Sequence, residues 1–489
     1  MRRLALMLAA GALALPAGAA GAERFVPDDP LAAKQWYLGQ IHAFDFWPDA
    51  LPALAPVRVA VIDSGLDLDH PEFAGRVALA QTFVGGDASD HEGHGTFVAG
   101  IIAASLDNGQ GIAGIAFPAQ LLIAKVVRAD GTIAPEAEAK AIRWAADNGA
   151  RVINLSLGGL RNPRDLKQDT YSAAEQDAVS YAYAKGAVVV AAVGNGDQAP
   201  TSPWDFASYP AALPHVIGVS ALAEDGSVPA FSNYDRFYND LAAPGVGIVS
   251  TFPRSLTAAR PSCVDQGYST CGPPEFRAAE GTSYAAAEVS GAAALLIAMR
   301  PSLSAAQVTS LLERSADDVN ATTGCKRCPL LRDPYSGWGQ LDIDAALRAL
   351  DGTIPPPDHY ESNDDAGDRA FTLYGRSIDI AATLDFWDDQ IDVYRIKLQK
   401  RQTVAVSLRG PAHTDTNLIL WKPGTLQVEP RNLSPALQTR RVTQSVHAGP
   451  NEHFLHRARQ EGWYYVEVKM STPGDGQYRL HISKSKVSG

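Results

Sequence analysis

The sequence predicts an α/β fold: a doubly wound, mostly parallel sheet followed by a small all-β sandwich domain. Three observations carry that expectation. From Val57 to about Leu350, short β-branched apolar runs alternate with longer helix-like stretches, the pattern of a parallel sheet with helices on both faces. Those runs are apolar at nearly every position, as strands buried on both sides must be. Past three consecutive prolines, Pro355 to Pro357, the periodicity switches to short alternating stretches separated by turn residues, which reads as an antiparallel sandwich.

Taken in order, the expected strands of the sheet are VRVAVI (57–62), QLLIAKVV (120–127), RVINLS (151–156), AVVVAAV (187–193) and HVIGVS (215–220). Between them, helices are expected from Pro135 to Asn148 and from Ser172 to Lys185. Gly149 and Gly186 follow these helices at positions suited to a left-handed cap. Ser304 and Gln307 have the spacing of a capping box at the start of a further helix. In the sandwich, strands are expected at 392–398, 403–408, 417–421, 464–469 and 478–483.

These breaks divide the 489 residues into an export signal over 1–22, a main domain over 23–352, a Pro-rich linker over 353–358 and the sandwich over 359–489. Met-Arg-Arg, the apolar run Leu4 to Leu15 and the small residues ending Ala20-Gly21-Ala22 have the three-part layout of a signal peptide. The run is shorter than the ~20 apolar residues of a membrane span. The segment is therefore expected to be removed ahead of Glu23, leaving no span and a secreted or periplasmic protein.

Cys263 and Cys271 form one close pair and Cys325 and Cys328 another, so two local disulfides are expected in an exported chain. Other pairings and a four-thiolate zinc site remain open at this point. A net charge of −12 leaves no basic stripe to neutralise phosphates, which argues against nucleic acid as a partner.

The chemistry-bearing residues fall at element ends. Asp63 closes the first strand, at the carboxyl edge where α/β sheets build their sites. His94, flanked by Gly93 and Gly95, opens the helix-like run FVAGIIAASL. Ser283 lies at the start of an apolar helix reaching Met299, where unpaired N–H groups favour developing negative charge. Asn195, just past the strand at 187–193, brings an amide donor to the same edge, suited to an oxyanion. A serine hydroxyl needs a base to become a nucleophile, and the base needs a carboxylate to fix its tautomer. Asp, His and Ser in that chain order is one of the known solutions.

Taken together, VAVIDSGLDLDHPEF, HEGHGTFVAGIIAA, RVINLSLGG, VVVAAVGNGD and GTSYAAAEVSGAAALL resemble the successive signature blocks of the subtilisin family. The resemblance implies a secreted serine endopeptidase acting on protein or peptide substrates through an acyl-enzyme, with no cofactor required. Asp63, His94 and Ser283 would form its triad and Asn195 its oxyanion donor. It further implies that substrate pairs as an added β-strand against Gly131-Thr132-Ile133 and Ser156-Leu157-Gly158. Ser208, just before Tyr209-Pro210, would form the base of the main specificity pocket, with room for large apolar side chains, or is an ordinary turn residue.

The sequence also departs from the family pattern. Tyr284 stands where Met usually follows the nucleophile and is expected to crowd the leaving-group side. Ala287-Glu288 replaces the usual Pro-His, and Phe97 replaces a common histidine. The short stretch between Ala22 and the catalytic core, Asp28 through Trp36, resembles the start of a mature peptidase and is expected to leave no room for the usual folded propeptide. Asp87, Asp90 and Glu92 offer oxygen ligands for structural calcium, as in some relatives, or form a solvated acidic loop; no metal residue is assigned. The stretches Glu361 to Asp364, Asp392 to Arg395 and Gly462 to Val468 resemble the pre-peptidase C-terminal domain of secreted bacterial peptidases. The competing reading is a catalytically silent binding protein that works through the sandwich.

Overall fold

The computed structural model describes residues 25–486 apart from 197–198, 260–268, 271–274, 353–357, 362, 364, 368, 388, 427 and 429–439. The expected export signal, the linker prolines and the Cys263–Cys271 pair lie outside the described residues. Cys325 and Cys328 are joined in a disulfide.

Along the first body of structure run α1 (Trp36–Gln40), β1 (Val57–Asp63), β2 (Val77–Thr82), α2 (His94–Ala103), β3 (Ala119–Lys125), α3 (Pro135–Asp147), β4 (Val152–Leu155), α4 (Ala173–Ala184), β5 (Val188–Ala192), β6 (Val216–Leu222) and β7 (Leu241–Pro244). After them come β8 (Ile248–Thr251), α5 (Arg254–Ala259), β9 (Ser269–Thr270), β10 (Phe276–Ala279), α6 (Thr282–Met299), α7 (Ala305–Arg314) and α8 (Ile343–Arg348). Strands β1 to β7 form one seven-stranded sheet in the order β2-β3-β1-β4-β5-β6-β7, and every pairing in it is parallel. The order runs outward from β1 in both directions. That reversal puts the crevice of an open α/β sheet beside the carboxyl end of β1.

Alternate residues of β1 serve opposite faces. Val57, Val59 and Val61 join the core with α2 and α6, while Ala60 and Ile62 join the core with α3 and α4. This two-sided burial is why the strands are apolar throughout. Helix α6 is long and apolar enough to cross a membrane, yet it is 94% buried inside this fold. Its small residues, Ala285 to Ala287 and Ala292 to Ala294, are among the buried ones and allow it to run through the centre of the layer. Ser304 and Gln307 form the expected capping box in both directions.

The second body holds β11 (Phe371–Leu373), β12 (Ser377–Asp385), β13 (Ile391–Leu398), β14 (Thr403–Arg409), β15 (Thr416–Trp421), β16 (Arg441–Ser445), β17 (Asn451–Arg457), β18 (Gly462–Met470) and β19 (Asp475–Lys484). They make a five-stranded sheet, β11-β13-β18-β15-β16, and a four-stranded sheet, β12-β19-β14-β17. The two share one core built from alternate residues such as Tyr394, Ile396, Val406, Leu418, Val466 and Leu480, as sandwich strands require. One pairing departs from the antiparallel expectation: β11 runs parallel to β13.

The two bodies touch through α7. Arg314 donates to Asp385 at 2.7 Å and to Asp475 at 3.2 Å, and its guanidinium lies 4.7 Å from the Trp387 ring centre. Ser310 donates to the same Asp385 oxygen at 2.9 Å, and Trp338 packs on Phe386.

Candidate active site

Asp63 is carried to the crevice by β1, and His94 by the first turn of α2. Two glycines make this juxtaposition sterically open. At Gly93, φ is +100° and a Cβ would fall 2.4 Å from the Phe252 ring, while a Cβ at Gly95 would fall 2.3 Å from the Gly65 carbonyl oxygen. Helix α2 therefore starts hard against the end of β1. The His94 Nδ1 lies 2.9 and 3.0 Å from the two oxygens of buried Asp63. Because a carboxylate only accepts, Nδ1 carries the proton and Nε2 is left as the basic nitrogen. Burial pulls the imidazole pKa down, but Asp63, Asp90 and Glu92 outweigh it and hold the pKa above its usual value.

Ser283 sits at the second position of α6, where a backbone N–H has no helical acceptor. Its hydroxyl donates to the Ser156 carbonyl at 3.1 Å, and the Ser156 hydroxyl donates back to the Ser283 carbonyl at 2.6 Å. Among the described residues, His94 hydrogen-bonds Asp63 and not Ser283. Asn195 is held from the other side. Its amide oxygen accepts from the Thr282 N–H and the Thr282 hydroxyl, both at 2.9 Å. With that oxygen occupied, the group Asn195 has to offer is its NH₂.

Ser283 and Asn195 both line a cavity of about 140 Å³ whose walls include Ser156, Leu157, Gly158 and Ser208. Four of the residues expected to meet substrate or shape its pocket are thus brought together with Ser283. Gly131, Thr132 and Ile133 do not line this cavity. They form a turn in which Ile133 bridges back to Val127, and a Cβ at Gly131 would sit 4.0 Å from Glu92, on the His94 side.

Asn233 and Thr282 also line the cavity and were not singled out by sequence reasoning. Asn233 donates to the Val193 carbonyl at 3.0 Å and to Ser208 at 3.4 Å, so the pocket floor is polar. Nothing in the sequence around Asn233 marks it. Thr282 could have been suspected from its place between Gly281 and Ser283.

Tyr284 does not project into the crevice as expected from sequence. It is 2% exposed, 4.4 Å from Phe97 and 5.9 Å from His94 between ring centres. The two aromatic replacements, Tyr284 and Phe97, fill one another's space beneath the imidazole.

For a cation the acidic loop is poorly disposed. Both Asp90 oxygens are taken by N–H and O–H donors from Ser64, Glu92, Gly93 and Thr96. Among the described residues, close groups of potential metal ligands occur at His42, Asp317 and Asp342 and at Glu361, Asp389 and Asp392, and neither group includes Asp87, Asp90 or Glu92.

Comparison with known proteins agrees with the geometry. Residues 55–330 match the model of the Subtilase family. Thermitase from Thermoactinomyces vulgaris is 35% identical over 302 residues, which is 61% of this chain and 94% of that protein. Subtilisin DY from Bacillus licheniformis is 34% identical over 296 residues, 60% of this chain and 92% of the relative. Among solved structures, a protease from Pseudoalteromonas arctica superposes with a TM-score of 0.52 at 27% identity, covering 66% of this chain and 99% of that one. Sphericase superposes with a TM-score of 0.50 at 28% identity, covering 63% and 97%.

Proposed function

Because the chain belongs to the subtilase family and is a serine-type endopeptidase, we propose that Asp63, His94 and Ser283 form its triad and that Asn195 holds the oxyanion. Two observations carry this reading: buried Asp63 holds His94 through Nδ1, and Ser283 shares a cavity with an Asn195 amide anchored by Thr282.

Ser283 first rotates about χ1, exchanging the Ser156 carbonyl for Nε2 of His94. His94 takes the hydroxyl proton as Oγ attacks the substrate carbonyl, and Asp63 stabilises the imidazolium that forms. Negative charge then collects on the former carbonyl oxygen. The Asn195 NH₂ and the Ser283 N–H receive it, both fixed before the reaction begins. His94 returns its proton to the leaving amine, and water repeats the sequence to release the acyl group. The chemistry uses no organic cofactor.

Substrate would lie as an extended strand, with Ser156-Leu157-Gly158 on one side and Gly131-Thr132-Ile133 on the other. The side chain before the scissile bond would enter the cavity toward Ser208 and Asn233. We also propose export through residues 1–22, a peptidase domain over 23–352 and an accessory sandwich of the pre-peptidase C-terminal type over 359–489. Structural calcium, if bound, would have to use oxygens other than those of Asp90.

The test is hydrolysis of casein and of a chromogenic peptide by the purified protein beside Ser283→Ala. Wild-type cleavage, with loss in the variant and an initial burst of chromophore, is the expected result. Equal cleavage by both proteins would overturn the mechanism.

A further inference from the structure

The triad reading accounts for one buried carboxylate at the crevice, Asp63. A second one, Asp90, is 2% exposed and stands in the loop just before α2. Its Oδ1 accepts from the Ser64 hydroxyl at 2.8 Å, the Glu92 N–H at 3.0 Å and the Gly93 N–H at 2.8 Å. Its Oδ2 accepts from the Thr96 N–H at 2.9 Å and the Thr96 hydroxyl at 2.7 Å. Both oxygens are thus in use, and the donors come from two separate elements.

Those donors are the neighbours of Asp63 and His94. Ser64 follows Asp63, to which its own N–H donates at 2.7 Å. The Ser64 hydroxyl, while donating to Asp90, accepts from the Gly95 N–H at 2.9 Å. Gly93, Gly95 and Thr96 surround His94 in the first turn of α2. The Thr96 hydroxyl in turn accepts from the Asp67 N–H at 3.0 Å. One carboxylate thus ties the end of β1 to the start of α2, the two backbone segments that carry the proton-transfer pair. A negative charge at that helix start is also favoured by the unpaired N–H groups there.

We infer that Asp90 is a positioning residue of the active site: through Ser64 and Thr96 it locks Asp63 and His94 in register, and its charge stands behind the imidazolium formed during turnover. The inference rests on the triad reading above and extends it. The groups that face His94 from the surrounding elements are Asp63 at the end of β1, Asp90 and Glu92 in the loop before α2 and the Tyr284 ring from α6, and Lys125 at the end of β3 acts on Glu92. Of these, Asp90 accepts from Ser64 at the end of β1 and from Gly93 and Thr96 at the start of α2.

The experiment uses the full chain and three variants, Asp90→Asn, Asp90→Ala and Ser64→Ala, with kcat, KM and the pH profile of kcat/KM on a chromogenic peptide. Misplacement of an acid–base pair by a fraction of an ångström lowers turnover strongly. Asp90→Asn is therefore expected to lower kcat by about 10- to 100-fold with KM within about twofold. Its acidic limb in the pH profile should move to lower pH, because a charge that favoured imidazolium is gone. Ser64→Ala removes one link and is expected to lower kcat by roughly 5- to 20-fold without moving that limb as far. If the Asp90 variants do not fold, Ser64→Ala alone decides. Wild-type kcat in the folded Ser64→Ala and Asp90→Asn variants, or a loss confined to KM, overturns the inference. Inactive wild-type protein would instead refute the triad reading itself.

Discussion

The amide oxygen of Asn195 is clamped by Thr282, which donates to it from both its backbone N–H and its hydroxyl at 2.9 Å. The Thr282 hydroxyl also accepts from the Gly194 N–H at 3.2 Å, so Asn195 and the start of α6 move as one piece. A side chain locked in this way loses no orientational freedom when charge appears on the substrate.

Asn195→Ala should therefore lower kcat by about 10² to 10³-fold with KM little changed, a magnitude carried over from subtilisin itself. Thr282→Val keeps the N–H and removes the hydroxyl. It should lower kcat by roughly tenfold, because one of two anchors remains. Steady-state kinetics on a chromogenic peptide check both values.

Oxidation gives a second prediction. The chain has four methionines, and the position following Ser283 is an aromatic residue buried against Phe97. Dilute peroxide should leave the activity largely intact, since no thioether flanks the nucleophile. Tyr284→Met should become peroxide-sensitive, with the added sulfoxide found by mass spectrometry at that residue. Rapid inactivation of the wild type, traced to the active site, would contradict this.

Glu72 supplies a third. It is 2% exposed, burial pushes its carboxyl from 4.5 up to about 8, and among the described residues one of its oxygens has no hydrogen-bond partner. The folded state holds this proton after the unfolded chain has lost it. The stabilising share of Glu72 is therefore whole below pH 4.5, declines as pH rises and is gone above about 8. Glu72→Gln keeps an acceptor for the Ile112 N–H and cannot ionise. Its melting temperature relative to wild type should rise between pH 5 and pH 9, as that share is lost from the wild type alone.

The contact between the two bodies supplies a fourth. Arg314→Ala leaves Asp385 largely buried without its cation, a change expected to weaken the docked state by about 2–4 kcal/mol. Differential scanning calorimetry should show the sandwich and the peptidase body melting further apart, and limited proteolysis should cut sooner between them. Peptide hydrolysis should hold near its wild-type rate.

The sheet and the residues of the proposed triad were readable because both leave marks along the chain. Strands buried on two faces are apolar at successive positions, and β1, β3, β4, β5 and β6 stand within two residues of their expected bounds. Strand β2 was missed because its apolar run, Val77 to Ala80, is short, lacks the β-branched character of the central strands and, at the edge of the sheet, is mostly exposed. In the sandwich, β17 was missed because Asn451-Glu-His453 reads as a polar loop, although Glu452 and Phe454 point inward. Asp63, His94, Asn195 and Ser283 stood out as polar residues at glycine-marked element ends. Asn233 and the role of Asp90 did not, because their meaning lies in partners 40 and 26 residues away.

The seam at Arg314 bears on any shortened form of the enzyme. Helix α7 follows directly on α6, the helix whose first turn holds the proposed nucleophile, and the sandwich shelters Trp338 on that side. Cutting the chain ahead of Asp358 would uncover the Trp338 indole and the Arg314 guanidinium, both of which pack on Trp387, a sticky spot on an otherwise acidic protein. A trimmed enzyme would then pay for its smaller size in solubility before it lost any catalytic power.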